Sequence, residues 1–456
     1  MKVRRVIAIL LCAIFMLIPL VACGDKNDQD DSDGVIRYKD GKRHIIIAGA
    51  YDRYYDSTHD NINANPNVVD PETAQMALDR VRYVEEKYNV YIEFVNMTWE
   101  GIMENIPISI MSGIPDADAY FTDTQMTVPA VLNGMALSLE SMDLQDHDVM
   151  KTGGNIVMES LKIPGQNETY LFRAAGVNQG MYMMGYNREL IAANGLADPQ
   201  ELWDRGEWTW EVFREYCRVI TDPTMDIYGW SGYWTNFITG LLFSNNAAFA
   251  AGPTQTIDSP PTMEVLNFLH ELYNVDRTAR PWVTGNWEIN NNLYAEGKSG
   301  FWISASWLNN EQGGMFGENM TFDFGMVPFP IGPQGNAATM PTENAEGSFY
   351  FIPQNIGRPR EVFDVIYDLT NWFEDDLEYR DDLTWLKNSL VTEKNFDAYM
   401  SVVGRPGFDL MHNLPGVAPS IELMLQNIDA PPEYTPAQYA ETYKQVFQDA
   451  LDNFFR

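Results

Sequence analysis

Two rhythms of hydrophobic and polar residues run along this chain. His44 to Ala48 (HIIIA) is a short apolar run ending at Gly49, the mark of a buried strand. Residues 72–88 follow with helical spacing, Ala77, Val81, Val84 and Tyr88 sharing one face. The pattern then switches to period two in VYIEFV (90–95), where Val90, Ile92 and Phe94 alternate with Tyr91 and Glu93. IMENIPISIMSG (102–113) predicts another helix, and a further strand starts after Pro115-Asp116. This β-α-β-α-β order implies a mostly parallel sheet covered on both faces, with ligands gathering beyond the carboxyl ends of its strands.

The second half repeats the style without repeating the sequence. YNRELIAANGL (186–196) predicts a helix stopped by Asn194-Gly195, and Thr209 stands as the cap of the next, with Glu211 in its first turn. Phe213, Tyr216, Cys217 and Ile220 lie at the i, i+3, i+4, i+7 spacing of a buried stripe, so Cys217 reads as a small core residue rather than a reactive thiol. Residues 262–273 carry Val265, Phe268, Leu269 and Leu272 on one face; Val362, Val365, Ile366, Leu369 and Phe373 do the same further on. Gly300 to Ser304 and Thr321 to Val327 are strand-like. Two α/β lobes are the economical reading of 456 residues, and with no long Pro/Ser linker the chain is free to cross between them more than once.

Composition narrows the chemistry. Sixty-four Asp and Glu against 30 Lys and Arg give a net charge of −34, a surface that repels phosphate backbones, so no nucleic-acid partner is expected. Five histidines form no HExxH or paired spacing, Gly297-Lys298-Ser299 lacks the upstream glycine of a P-loop, and no G-x-S-x-G elbow occurs. With Cys12 and Cys23 in or beside the first apolar run, Cys217 is alone in the body of the chain, which excludes a disulfide framework and a cysteine zinc site. Neither a metal nor another cofactor is expected.

The amino terminus is a separate case. Lys2, Arg4 and Arg5 precede an uncharged run over 6–22, about 25 Å long as a helix and marginal for a bilayer core. Its end, Leu20-Val21-Ala22-Cys23-Gly24, resembles the lipobox of bacterial lipoproteins, which implies cleavage before Cys23 and lipidation of that cysteine. Residues 1–22 are then a signal peptide, and its three positive charges leave with it, taking the net charge from −34 to −37. Residues 23–35 form an acidic tether, since GDKNDQDDSDG (24–34) has five Asp and no apolar side chain. A calcium-loop pattern over 29–40 fails at Gln29 and Asp40.

Taken in order, SGIPDADAYFTD (112–123), NGMALSLESM (133–142), GQNETYLFRAAGVNQGMYMMGYNRELIAANGL (165–196), EWTWEVF (207–213), YAEGKSGFWISASW (294–307) and FDFGMVPFPIGPQG (322–335) resemble motifs of the extracellular solute-binding lipoproteins that deliver sugars to ABC transporters. Gln166-Asn167-Glu168 departs from the usual Gly-Lys, and Asp118 stands where an apolar strand residue is common. The resemblance implies an α/β, two-lobed periplasmic-binding-protein-like (type II) fold with a hinge and an interlobe cleft. Lobe 1 is expected over 36–168 plus 344–395 and lobe 2 over 169–343 plus 396–456. It further implies a lipid-anchored, monomeric, extracytoplasmic receptor that is not an enzyme, with a carbohydrate ligand and a permease as partners and closure of the lobes around the ligand.

A sugar offers hydroxyls at its edge and C–H groups on its faces, so its site needs carboxylates or amides beside flat aromatic rings. Tyr51 and Asp52 follow the first strand, and Asp123 ends YFTD at the corresponding place of the third. YGWSGYWTNF (228–237) concentrates Trp230, Tyr233 and Trp234; Trp307 follows the strand-like segment 300–304 and resembles the family's stacking tryptophan. Asn178 and Tyr182 lie near the expected crossing between lobes, whereas Trp208, Trp210 and Trp302 read as packing residues. The tryptophan content points to an oligosaccharide. Two other readings fit an acidic, aromatic-rich chain: a receptor for peptides or other small solutes, and a glycosidase, whose carboxylate pair any chain with 64 acids could supply.

Overall fold

The period-two and period-3.6 segments fold into two main sheets with helices packed on them, beside two short two-stranded ribbons. The structure is a computed structural model and describes residues 34–50, 71–151, 155–162, 168–173, 183–232, 234–281, 293–304, 322–345, 347–371, 387, 390, 392–401, 403–414, 417, 421 and 435–455. From Val35 onward these belong to one unit. The chain lays down β1 (Arg37–Lys39), β2 (Lys42–Gly49), β3 (Val90–Asn96) and β4 (Ala119–Asp123) in the first sheet. It then supplies β5 (Met183–Asn187), β6 (Tyr228–Trp230), β7 (Ser299–Ser304) and β8 (Phe324–Val327) to the second, and returns to the first with β9 (Ser348–Phe351).

In the first sheet β2 is central. β3 runs parallel to it from Arg43↔Val90 to Gly49↔Asn96. The other edge of β2 is shared: β1 pairs antiparallel with Lys42 to His44, and β4 pairs parallel with Ile47 to Gly49. β9 closes the sheet antiparallel to β4, with Ser348 opposite Asp123.

The junction between β1 and β4 explains the unusual Asp118. Where β1 stops, the Ile46 N–H would be orphaned; the Asp118 carboxylate accepts it at 3.0 Å, while the Asp118 N–H donates to the Ile46 carbonyl at 2.8 Å. Arg37 donates to the same carboxylate at 3.0 Å, and Arg43, itself buried, lies 4.0 Å away while bonding Glu361 at 2.5 Å. A side chain has taken over part of the strand ladder.

Helix Pro71–Tyr88 and helix Pro359–Thr370 pack on each other and on one face of this sheet, burying Val81, Val84, Val362, Phe363, Val365 and Ile366 against Ile45, Ile47, Val90 and Ile92. The predicted helix face is refined: Leu78 and Ala74 are buried with Val81 and Val84, while Ala77 and Tyr88 are half-buried. Helix Trp99–Met111 covers the opposite face through Ile102, Ile106 and Ile110 and is capped by Thr98, whose hydroxyl accepts from the Gly101 N–H at 3.2 Å.

The second sheet departs from the mostly parallel order predicted for the first half. Its order is β8-β5-β7-β6; β5 is antiparallel to both neighbours, and only β6 and β7 run parallel. The right-handed crossover argument applies to a strand reached from the same sheet through a helix, whereas β5 arrives from the first sheet. The helix predicted over 186–196 is also corrected. Tyr186 and Asn187 are the end of β5, and the helix is Arg188–Ala193, capped by the Asn187 side-chain oxygen (Oδ1), which accepts from the Leu190 N–H at 3.0 Å. Helix Trp210–Ile220 agrees with its prediction: Thr209 caps the Val212 N–H, and Phe213, Tyr216, Cys217 and Ile220 are buried. Burial pushes the Cys217 thiol well above its usual pKa, consistent with an inert core residue. Helix Pro260–His270 packs against helix Pro436–Phe454, whose start is fixed by a capping box between Thr435 and Gln438 and by Pro436 in its first turn.

Gly185 lies opposite Trp302 in the β5–β7 pair, and a Cβ there would come within 2.4 Å of the indole. Trp302 is itself fixed by a parallel stack on Tyr294 at 5.1 Å. Gly185→Ala is therefore expected to cost about 1–3 kcal/mol of overpacking, read as a lower urea midpoint at unchanged slope.

Candidate functional site

β4 passes into helix Thr124–Leu132 with no intervening loop, so Asp123 ends the strand and precedes the first helical residue. Its backbone is extended (φ −66°, ψ 158°), and its side chain does not cap the helix. Instead the Ser348 hydroxyl, directly across on β9, donates to the carboxylate. Thr124 N–H donates to the Gly347 carbonyl at 3.1 Å and locks the two strand ends together.

Directly opposed and alternate residues share a sheet face, so Phe121 and Tyr350 lie on the face of Asp123. Their rings meet at 4.4 Å, and Phe172 stacks on Tyr350 at 5.5 Å. Asp123 thus crowns an aromatic ladder. Burial pushes its carboxyl above the ordinary range, and the Ser348 hydrogen bond opposes that shift without cancelling it. Arg173, one residue beyond Phe172, lies over the Phe349 ring at 4.9 Å, and burial lowers its guanidinium from the usual value. The same end of the sheet holds the end of β2, where Gly49 accepts from the Met97 N–H at 2.9 Å.

On the second sheet β6 ends at Trp230. Of the three rings concentrated in 228–237, Trp230 is a core residue rather than a ligand contact: it is fully buried, stacks on Phe237 at 3.8 Å and donates its indole N–H to the Tyr273 hydroxyl at 3.3 Å. Both its apolar surface and its donor are taken by the core. The next residue, Ser231, is polar and buried; its N–H bonds the Phe301 carbonyl at 3.1 Å, but its hydroxyl has no hydrogen-bond partner. Trp208, Trp210 and Trp302 are buried as packing residues, the first donating to the Pro328 carbonyl at 3.0 Å and the second to the Ser244 hydroxyl at 3.1 Å.

Of the remaining candidates, Trp234 opens helix Trp234–Ser244. Tyr51, Asp52, Asn178, Tyr182, Tyr233 and Trp307 lie outside the described residues, as does Cys23. Neither Ser348 nor Arg173 is marked by any sequence signal: Ser348 is 225 residues from the carboxylate it serves, and only the strand register joins them. Among the described residues no cluster of His, Cys, Asp and Glu is suited to a metal ion, and no helix is long and apolar enough to cross a membrane.

Residues 65–375 match the family model described as bacterial extracellular solute-binding protein. No curated protein matches the chain in sequence. Among solved structures, UgpB of Mycobacterium tuberculosis, in complex with glycerophosphocholine, is similar at a TM-score of 0.62 and 14% identity, over 84% of this chain and 97% of that one. The GacH receptor of Streptomyces glaucescens, solved unliganded and with acarbose, is similar at 0.62 and 14%, over 90% and 98%. MalE of Bdellovibrio bacteriovorus, bound to maltotriose, is similar at 0.59 and 16%, over 89% and 98%. These likenesses carry the two-lobed fold, and the match over about two thirds of the sequence carries the family. The chain belongs to the bacterial extracellular solute-binding protein family.

Proposed function

We propose that this chain is a lipid-anchored receptor that captures a carbohydrate, an oligosaccharide in particular, outside the cell and passes it to an ABC transporter permease. The observation that carries the reading is Asp123: a carboxylate kept at a strand's carboxyl end on an aromatic ladder, where its ionised form is costly to the fold and a shielded hydroxyl donor would relieve it. Tyr51, Asp52, Asn178, Tyr182, Tyr233, Trp234 and Trp307 are proposed to complete the site, with the Ser231 hydroxyl at the end of β6 as a further polar contact. Lobe 1 is read as 36–168 plus 344–395 and lobe 2 as 169–343 plus 396–456. The packing of helix Pro359–Thr370 on helix Pro71–Tyr88, and of helix Pro436–Phe454 on helix Pro260–His270, supports the assignment of these four helices, whereas helix Glu393–Met400 packs on β8 of the second sheet. Ligand contact with both lobes favours the closed state by its differential affinity. Cys23 is read as the lipidated residue, residues 1–22 as the signal peptide and the receptor as a monomer.

A non-sugar solute is the second reading, favoured by the likeness to UgpB, whose bound ligand is glycerophosphocholine. Thermal shift of the mature chain against mono- and oligosaccharides, glycerophosphodiesters and peptides separates the two, with product analysis on the same samples. A one-site binder gains about 2.7 kcal/mol at a hundredfold excess over Kd. An oligosaccharide is expected to raise Tm and to be recovered intact. A response confined to the other solutes overturns the sugar reading, and cleavage overturns the receptor reading.

A further inference from the structure

Helix Trp99–Met111 is apolar on more than its buried side. Beyond Ile102, Ile106 and Ile110 it turns Ile108 (69% exposed) and Met111 (77%) to solvent, and Ile114 (68%) continues the patch in the following turn. These are the three most exposed large apolar side chains among the described residues, and they fall within seven positions. No charged side chain occurs from Asn105 to Pro115, in a chain with 64 acids in 456 residues. Clustered apolar exposure of this kind marks a contact surface.

The place of the patch indicates what it meets. Arg37 donates to the Pro115 carbonyl, one residue after Ile114, and to Asp118 at 3.0 Å, so the chain enters the first sheet beside the patch. Val35 is held there by the Asn355 carbonyl at 2.7 Å. Only residues 24–34 separate Val35 from Cys23, a stretch of about 40 Å at full extension. An anchor on Cys23 therefore keeps this end of the first sheet within reach of the bilayer. The patch precedes β4 and Asp123 ends it, so the two lie at opposite ends of one strand.

We infer that Ile108, Met111 and Ile114 seat in the headgroup–acyl boundary of the membrane that holds the lipid, orienting the domain so that the Asp123 end of β4 points away from it. The inference rests on the lipid-anchor reading. An apolar, uncharged contact is what a domain of net charge −37 needs here, because electrostatics with an anionic leaflet only repel it.

The test uses the mature lipidated chain carrying Met111→Cys labelled with an environment-sensitive fluorophore, reconstituted into vesicles of phosphatidylcholine and phosphatidylglycerol. The expected result is blue-shifted emission, quenched by headgroup spin-labelled lipid, and both effects lost in the I108S/I114S background although the protein still sediments with the vesicles. Water-like emission from vesicle-bound protein overturns the inference alone. Absence of the protein from the vesicle fraction overturns the anchor reading and the inference with it. A blue shift of the Cys23→Ala chain in vesicle-free buffer that grows with protein concentration assigns the patch to a second copy and likewise overturns it.

Discussion

Asp123→Asn is expected to lower sugar affinity by roughly 10- to 150-fold, the loss of a shielded hydrogen bond to a charged carboxylate worth about 1.5–3 kcal/mol, without destabilising the protein. The two halves of this result have one cause. Burial raises the folded-state pKa of Asp123, so the folded state favours the protonated form. The stability this group contributes is full below the unfolded-state value and is lost as pH rises through the window up to the raised folded-state value. At neutral pH the ionised carboxylate is therefore a cost to the fold. Asparagine removes that cost and still accepts from the Ser348 hydroxyl. Urea denaturation should find the variant at least as stable as wild type at neutral pH, its advantage shrinking toward acid. A variant that loses stability but keeps affinity would make Asp123 a structural residue of the β4–β9 junction.

The largest loss of stability is expected at Asp118. Asp118→Ala removes the acceptor of the Ile46 N–H and a charge partner of the buried Arg43, which retains Glu361. Leaving that N–H without its acceptor costs about 1–3 kcal/mol, to which the weaker neutralisation of Arg43 adds. The ionised group is not itself a source of net stability: burial raises its pKa above the ordinary range even with Arg37 and Arg43 beside it. The loss comes from what is left behind. Asp118→Asn, which still accepts from Ile46, should therefore lose distinctly less than Asp118→Ala. Equal losses for the two variants would contradict the ladder role, and an unaltered urea midpoint for Asp118→Ala would remove the residue from the account.

Much of this architecture is legible in the periodicity. The apolar run at His44 to Ala48, the alternation of Val90 and Ile92 and the stripe from Phe213 to Ile220 each report burial directly, because side-chain burial is what spaces them. Strand direction is not legible in the same way. β5 looks like any other strand, and its antiparallel pairing follows from a crossing between sheets that leaves no local mark. The start of the helix after β5 is not legible either, because Tyr186 and Asn187 suit a helical stripe and a buried strand equally; only the cap on Leu190 decides.

The site is less legible than the fold. Asp123 could be placed because a strand's carboxyl end is defined by the sequence around it. Trp230 could not be distinguished from an exposed ring, since the residues that enclose it, Phe237 and Tyr273, come from a helix and the turn after another. Aromatic density signals a site and a core alike. The departure at Asp118 reflects the point where β1 and β4 meet along one edge of β2.

Calorimetric titration of the mature chain with the oligosaccharide that raises its Tm most tests the central claim directly. The account predicts one sugar bound per chain, a negative heat-capacity change from the apolar surface buried, and recovery of the sugar unchanged. Absence of saturable heat with any saccharide, or release of a shortened product, would contradict it.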